Sequence, residues 1–495
     1  MSLFQLPYDI LHNILVYYTS AFDISKLRSV NNKLNTFCSN LIANYNLTPA
    51  LSNQSTSISE HMMNTIKIYK ESPSNLNIIL KDIHYICTLI IKDIEGVLSL
   101  KHLENSEINN IVVNKCNGLT NLKGLSMVKN VKINRCPQLN KLKLAKNFNY
   151  DTIAIKSCWI LSILKIPIVK NVKIKECLDL LELKWKKNYI YGTIKIKYCA
   201  QLISLKIPMV KNIEINECIR LRELTWENNY NYNIIVIKNC WELTTLIAPA
   251  VNNIKIKECN HLTTVDWKEN FNYKTVVIEN CRRFLTALKV PAVKYLKIKD
   301  CPQLLELNLE KKYNYNCIVI ESCPELTELK VPAVKYLKIK NCHKLSILEW
   351  EEKYNYDTIV IESCSELTKL KVPAVKNLKI KNCHKLIELE WEEKCNYKNI
   401  KIKGCLTITK LKLPTVKYVK IKNFPQLLEL EWTENFDYDT IEMEQCPELI
   451  KLKVPQVKNL KMYYCAKLDH LVRLENYNFE CAMFMTNVYL IMTFP

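Results

Sequence analysis

Cysteine recurs in this chain like a clock. It stands at 116, 136, 158, 177, 199, 218, 240, 259, 281, 301, 323, 342, 364, 383, 405, 446 and 465. The intervals alternate between about 19 and 22 residues, with one of 41 between 405 and 446 that holds Phe424 in the skipped slot. A fixed period of this kind is the signature of a repeat array. The repeating unit is a pair of coils, 41 residues long. Three successive copies read "VPAVKYLKIKDC" (290–301), "VPAVKYLKIKNC" (331–342) and "VPAVKNLKIKNC" (372–383).

The apolar spacing inside one coil predicts its shape. Leu326, Leu329, Val331, Val334, Leu337, Ile339, Cys342 and Leu345 follow one another in steps of three and two. A step of two marks a strand, whose side chains alternate between faces; steps of three turn corners. Each coil therefore carries two short strands, and one corner holds a proline such as Pro291, Pro332 or Pro373. One coil buries little, so stacking must supply the core. Every second coil lengthens a corner, as in "EEKYNYD" (351–357). Aromatic pairs recur there: Phe271 with Tyr273, Tyr313 with Tyr315, Tyr354 with Tyr356, Phe436 with Tyr438. Trp185, Trp226, Trp267, Trp350, Trp391 and Trp432 keep the same period in a slot read as inward-facing. The cysteines read as small hydrophobes in a structural ladder, in preference to disulfides or metal ligands; no CxxC occurs.

The pattern in "VKYLKIKNCHKL" (334–345) fits LxxLxLxxCxxL with Val in the first place, and resembles the leucine-rich repeat in a short, helix-free form. The expected fold is mainly β: a leucine-rich-repeat-type solenoid of about 20 short coils over 63–471, with a C-terminal cap at 472–495. A different pattern precedes it. "LPYDILHNILVYY" (6–18) and "DISKLRSVNNKLNTF" (23–37) have helical apolar spacing and resemble an F-box. The match rests on Leu6, Pro7, Ile10, Leu11, Ile14, Leu15, Leu27, Arg28 and Val30, and departs from the family after Val30, where "NNKLN" follows. The organisation expected is therefore an all-α F-box-like segment at 1–45, a linker or first cap at 46–62, then the solenoid.

Charge identifies a candidate surface. The chain carries a net +21, partly an effect of a Lys-, Asn-, Ile- and Tyr-rich composition that points to an AT-rich genome. Between 321 and 400, 14 Lys face 13 acidic residues, a net of +1. There the outward residues alternate as Lys330, Glu349, Lys371, Glu390 on one strand series and Lys299, Glu321, Lys340, Glu362, Lys381 on the other, which predicts ion ladders with Glu on both sides of each Lys. Between 130 and 210, 16 Lys or Arg face 4 acidic residues, a net of +12. Lys132, Lys143, Lys156, Lys165, Lys173, Lys184 and Lys195 form the target-binding patch expected from this excess, for an acidic partner.

The F-box resemblance implies a role as the substrate-recognition subunit of a cullin-type ubiquitin ligase. Leu6, Pro7, Ile10, Leu11, Ile14, Leu15, Leu27 and Val30 would then dock a Skp1-like adaptor in a cullin complex, while the repeats capture a protein target. The alternative is a non-enzymatic repeat scaffold whose first residues only cap the solenoid. No phosphate loop, zinc-protease helix or nucleophile elbow is present. No catalytic residue, cofactor or metal is expected; nor is nucleic acid or a membrane as partner. The start "MSLFQLPYDIL" lacks a basic stretch followed by an apolar run, so the expected location is the cytoplasm or nucleus.

Overall fold

The computed structural model describes residues 88–467, apart from short gaps at 101–107, 126–127, 147, 311–314, 352–353, 355, 393–394, 396, 433–437 and 455–456. Beyond that span it describes the backbone of a few strands: Tyr45–Thr48, Thr65–Tyr69, His470–Arg473, Phe484–Thr486 and Tyr489–Thr493. The chain is a mainly β parallel solenoid of about 18 turns. Its residues group into two units, Met1–Trp241 and Glu242–Pro495. The F-box-like helices expected in 1–45 lie outside the described residues.

Each coil contributes one long and one short strand, as the stepped spacing requires. In the coil read above these are Glu328–Val331 and Val334–Lys340. All eight residues of its inward set, Leu326 to Leu345, are at most 2% exposed. The long strands stack in parallel register. In the first unit Ile153, Val172, Ile194 and Ile213 lie opposite one another in sequence. In the second, Leu337, Ile359, Leu378 and Ile400 do so. Such columns of like side chains are the core. Antiparallel strands cover the exposed edges. Tyr45–Thr48 pairs with Thr65–Tyr69 in the first unit, and Tyr489–Thr493 pairs with Val457–Tyr463 in the second. An edge so paired no longer offers free N–H and C=O groups at that end.

The short strands behave differently. Gly96–Ser99, Leu119–Leu125 and Lys141–Leu144 form one sheet, and Lys410–Leu413, Glu429–Trp432, Lys451–Val454 and His470–Arg473 another. Between Ile163 and Trp391, however, the short strands pair two at a time: Ile163–Ile166 with Glu182–Trp185, Ser204–Ile207 with Glu223–Trp226, Glu328–Val331 with Ile347–Trp350, Lys369–Val372 with Glu388–Trp391. The hydrogen-bonded sheet stops after each of these tryptophan strands, where the coil takes its long corner. The ion ladder expected on this side is therefore broken into rungs. Lys330 faces Glu349 and bonds to it at 3.3 Å, but Glu349 and Lys371 belong to different pairs. Trp391 spans one of the breaks, its indole Nε1 donating to the Lys412 carbonyl at 2.7 Å.

The cysteines sit at the corner that follows each long strand. Cys342 is fully buried and its thiol donates to the Lys340 carbonyl at 3.6 Å. The Leu345 N–H returns to the Cys342 carbonyl at 3.2 Å, closing the turn. The residue before the cysteine slot is left-handed in every described coil, from Asp93 (φ 50°) before Ile94 to Tyr464 (φ 57°) before Cys465. Its N–H still donates to the next coil, as Asn341 does to the Glu362 carbonyl at 2.9 Å. The left-handed twist turns the chain without losing a rung.

The tryptophan slot is less enclosed than the inward reading expects. Trp185, Trp226, Trp267, Trp350 and Trp391 are half-buried, and only Trp432 is buried. Each packs edge-on against the tyrosine that opens the following long strand, Trp185 on Tyr191 at 5.4 Å between ring centres and Trp226 on Tyr232 at 5.3 Å. Those tyrosines are the largest fully buried side chains of the fold.

Candidate partner-binding surface

The lysines expected to bind a target do not form one patch. Lys132, Lys156, Lys173 and Lys195 lie on long strands, Asn130–Asn134, Tyr150–Lys156, Val169–Lys175 and Tyr191–Lys197. Lys143, Lys165 and Lys184 lie on short strands, Lys141–Leu144, Ile163–Ile166 and Glu182–Trp185. The two strand series form separate sheets. One set therefore reads off each sheet, and a partner engaging all seven would have to wrap a corner.

The expectation that these lysines lack acidic partners holds for four of them. Lys195 reaches Glu214 at 3.4 Å, Lys156 reaches Glu176 at 3.8 Å, and Lys184 reaches Glu182 on its own strand at 3.0 Å. Glu214 lies opposite Lys195 in register, just beyond the 130–210 window, while Glu176 and Glu182 are two of the few acids within it. Lys132, Lys143, Lys165 and Lys173 have no acidic group within ion-pair distance among the described residues. Register also sets like charges opposite one another, and Lys175 faces both Lys156 and Lys197, with Glu176 bonded to Lys156 and Lys175. Lys173 faces Lys195 on the long-strand sheet, and Lys165 faces Lys184 on the short-strand pair. Like charges directly opposite destabilise a sheet.

In the second unit the expected alternation is present over Lys299, Glu321, Lys340, Glu362 and Lys381, which face one another in that order. Glu362 is bonded to Lys381 at 3.0 Å and Lys340 at 3.7 Å. Glu279 is the most enclosed acid of the series. Burial alone would raise its carboxyl, but hydrogen bonds from Lys257 and Lys297 outweigh it and bring the pKa to about 2. The alternation then fails. Lys381, Lys403 and Lys422 face one another, as do Lys379, Lys401 and Lys420. Lys422 and Lys420 find Glu444 and Glu442 beyond them. Lys379, Lys401 and Lys403 have no acidic group within ion-pair distance among the described residues, though Lys401 lies over the Tyr418 ring at 5.4 Å. Summing charge over 321–400 hides this column because its lysines continue past 400 and the acids of that window sit elsewhere.

The residues expected to dock an adaptor, Leu6, Pro7, Ile10, Leu11, Ile14, Leu15, Leu27 and Val30, lie outside the described residues. The described cysteines are free thiols, and among the described residues no group of three or more His, Cys, Asp or Glu side chains is placed to hold a metal ion.

No known family model matches the sequence, and no curated protein does. Two solved structures show a partial resemblance. A leucine-rich cell surface protein from Faecalibacterium prausnitzii A2-165 aligns over 70% of this chain and 87% of its own, at 14% identity and a TM-score of 0.25. The circular leucine-rich-repeat protein CroV588 aligns over 81% of this chain and 80% of its own, at 11% identity and a TM-score of 0.15. At these scores the likeness carries no functional argument; the solenoid stands on its own register and burial.

Proposed function

We propose that this chain is a non-enzymatic interaction scaffold whose outward lysine columns hold an acidic protein. The observation that carries the reading is that Lys165 and Lys173, with no acid in ion-pair distance among the described residues, each face another lysine, Lys184 and Lys195, across paired strands. A repulsion that costs stability and serves no packing purpose is where a functional surface is expected. Elsewhere in the same repeat the facing residue is Glu, as at Glu349 and Glu362, so the repeat readily accommodates the neutralising choice. Exposed charges are screened over about 8–10 Å at physiological ionic strength, so association with the partner slows as salt is added. The test is charge reversal of Lys132, Lys143, Lys165 and Lys173 to Glu, followed by affinity capture and mass spectrometry. Loss of one and the same protein from the captured set supports the reading; an unchanged set overturns it.

The F-box resemblance of "LPYDILHNIL" (6–15) supports a finer reading. In it, Leu6, Pro7, Ile10, Leu11, Ile14, Leu15, Leu27 and Val30 bind a Skp1-like adaptor, and the scaffold presents its target to a cullin ubiquitin ligase in the cytoplasm or nucleus. Replacing Leu6 and Pro7 by Ala tests it by adaptor pull-down. If the unaltered full chain retains no adaptor at micromolar concentration, the ligase role falls while the scaffold remains.

A further inference from the structure

One corner of the first unit departs from the chemistry of its repeat. The turn residue directly after the cysteine is polar or proline in most coils, as at Asn117, Pro137, Asn260, His343 and Ser365. Over five consecutive coils it is Trp159, Leu178, Ala200, Ile219 and Trp241. Trp159 is 51% exposed, Leu178 43% and Trp241 52%. Backbone bonds join these turns from coil to coil. The Asp179 N–H donates to the Trp159 carbonyl at 2.9 Å and the Gln201 N–H to the Leu178 carbonyl at 3.1 Å. A second exposed row runs beside the first through Leu181 and Ile203. At about 4.8 Å per coil, four steps give a strip about 19 Å long. Ala200 and Ile219, between Leu178 and Trp241, are half-buried. Isolated exposed apolar residues are ordinary, but a file of apolar turns on consecutive coils, ended by two exposed tryptophans, marks an interaction surface.

The strip borders the short-strand lysines. Ile163, 49% exposed, and Lys165 are two apart on one strand and so share a face. Lys143 lies on the preceding short strand. We propose that this corner is the docking site of the scaffold's partner: an acidic protein segment that lays apolar side chains along the strip and carboxylates against Lys143 and Lys165. The proposal rests on the scaffold reading above and selects one of its two lysine sheets. Charge complementarity argues for the occupant, since residues 130–210 carry a net +12. An anionic bilayer fits less well. Asp179 and Glu182 stand within the strip's own coils, exposed, and would repel a uniformly negative plane, whereas a polypeptide can place its charges between them.

The repeat itself supplies conservative variants, because Asn and Ser occupy the same turn slot in other coils. The experiment measures fluorescence anisotropy of a labelled peptide alternating Glu with Leu and Phe, bound by the full chain, by Trp159→Asn/Leu178→Ser, by Lys143→Glu/Lys165→Glu, and by Lys132→Glu/Lys173→Glu on the other sheet. Each protein's thermal midpoint is recorded alongside. The expected result is about tenfold weaker binding for the first two variants, little change for the third, and weaker binding of the same peptide with Gln for Glu. Three results would overturn the proposal: binding of both strip variants within about twofold of the unaltered chain at matched thermal midpoints, equal binding of the Gln peptide, or loss of adhesion to phosphatidylserine-containing vesicles in place of loss of peptide. Weakening by Lys132→Glu/Lys173→Glu alone would retain the scaffold and move its site to the long-strand sheet.

Discussion

The Tyr232 hydroxyl donates to the Pro208 carbonyl, one coil back, at 3.3 Å, and accepts the Glu227 N–H at 3.1 Å. One phenol thus ties the long corner of its own coil to the proline corner of the coil before it. Tyr191 repeats the arrangement with Pro167 and Lys186, and Tyr273 with Pro249 and Lys268. Proline is useful at this corner because its missing N–H leaves only a carbonyl to satisfy, and the tyrosine satisfies it. Tyr232→Phe leaves the buried Pro208 carbonyl without that donor. The expected cost is about 1–3 kcal/mol of unfolding free energy, read by chemical denaturation with no change in the far-ultraviolet spectrum of the native state.

The same phenols predict an alkaline limit. Burial pushes Tyr191, Tyr232 and Tyr273 up to about 12, against 10 for a free tyrosine. A proton held more tightly in the folded state stabilises it fully below pH 10, and this contribution is lost as pH rises toward 12. Because the tyrosines recur, the losses add. Absorbance titration of the tyrosinate band is expected to show the buried tyrosines ionising together with loss of β-sheet circular dichroism. Ionisation near pH 10 in a folded chain would contradict their burial.

Glu279 predicts the acid limit. Its carboxyl lies at about 2 in the folded chain, against 4.5 when free, because Lys257 and Lys297 both bond to it. A depressed carboxyl stabilises the fold above pH 4.5 and loses that contribution as pH falls toward 2. Glu279→Gln removes it at neutral pH. The expected cost is about 1–2 kcal/mol, and the variant's stability is expected to vary less between pH 5 and pH 2, roughly the window of that titration, measured by urea denaturation across the range.

Left-handed backbone offers a way to stabilise the protein. Glu258 is held at φ 55° before Cys259, and its N–H donates to the Glu279 carbonyl at 2.9 Å. A side chain with a β-carbon pays roughly 1–2 kcal/mol there, and asparagine less. Asn280, Asn341 and Asn382 fill the equivalent slot in other coils. Glu258→Asn is expected to raise stability by about 0.5–1 kcal/mol, seen as a higher melting temperature. Gly404 gives the opposite case. It has φ 67°, and a β-carbon there would approach the Asn382 Oδ1 to 2.7 Å, so Gly404→Ala is expected to lower the melting temperature.

The stepped apolar spacing from Leu326 to Leu345 was enough to read the coil, because strand alternation and corner turns leave different steps in the sequence. The column of left-handed residues was not legible. Lys115, Arg135, Glu176 and Tyr198 occupy it, and none of those residue types announces a positive φ. Pairing of the short strands two by two was also hidden. Lys371 and Glu349 are one coil apart in sequence just as Lys330 and Glu349 are, and only the long corner after Trp350 decides which become neighbours. The lysines of 130–210 were legible as an excess of charge, but charge counting along the chain is blind to which sheet each residue faces. The exposed turn strip escaped for a related reason: an apolar residue after a buried cysteine looks like core until the turn points it outward.

The break after the tryptophan strands from Trp185 to Trp391 also bears on how such a gene can change length. Unequal recombination between neighbouring copies that inserts or deletes 41 codons removes or adds one whole hydrogen-bonded pair, with its Lys–Glu rung, its proline corner and the tyrosine that closes it. The flanking surfaces then meet partners identical to those they lost. A slip of 19 or 22 codons would instead set a tryptophan strand beside another tryptophan strand, with like charges opposed across the new contact. The solenoid can therefore lengthen or shorten by inheritance in double steps, while its antiparallel end strands stay unaltered.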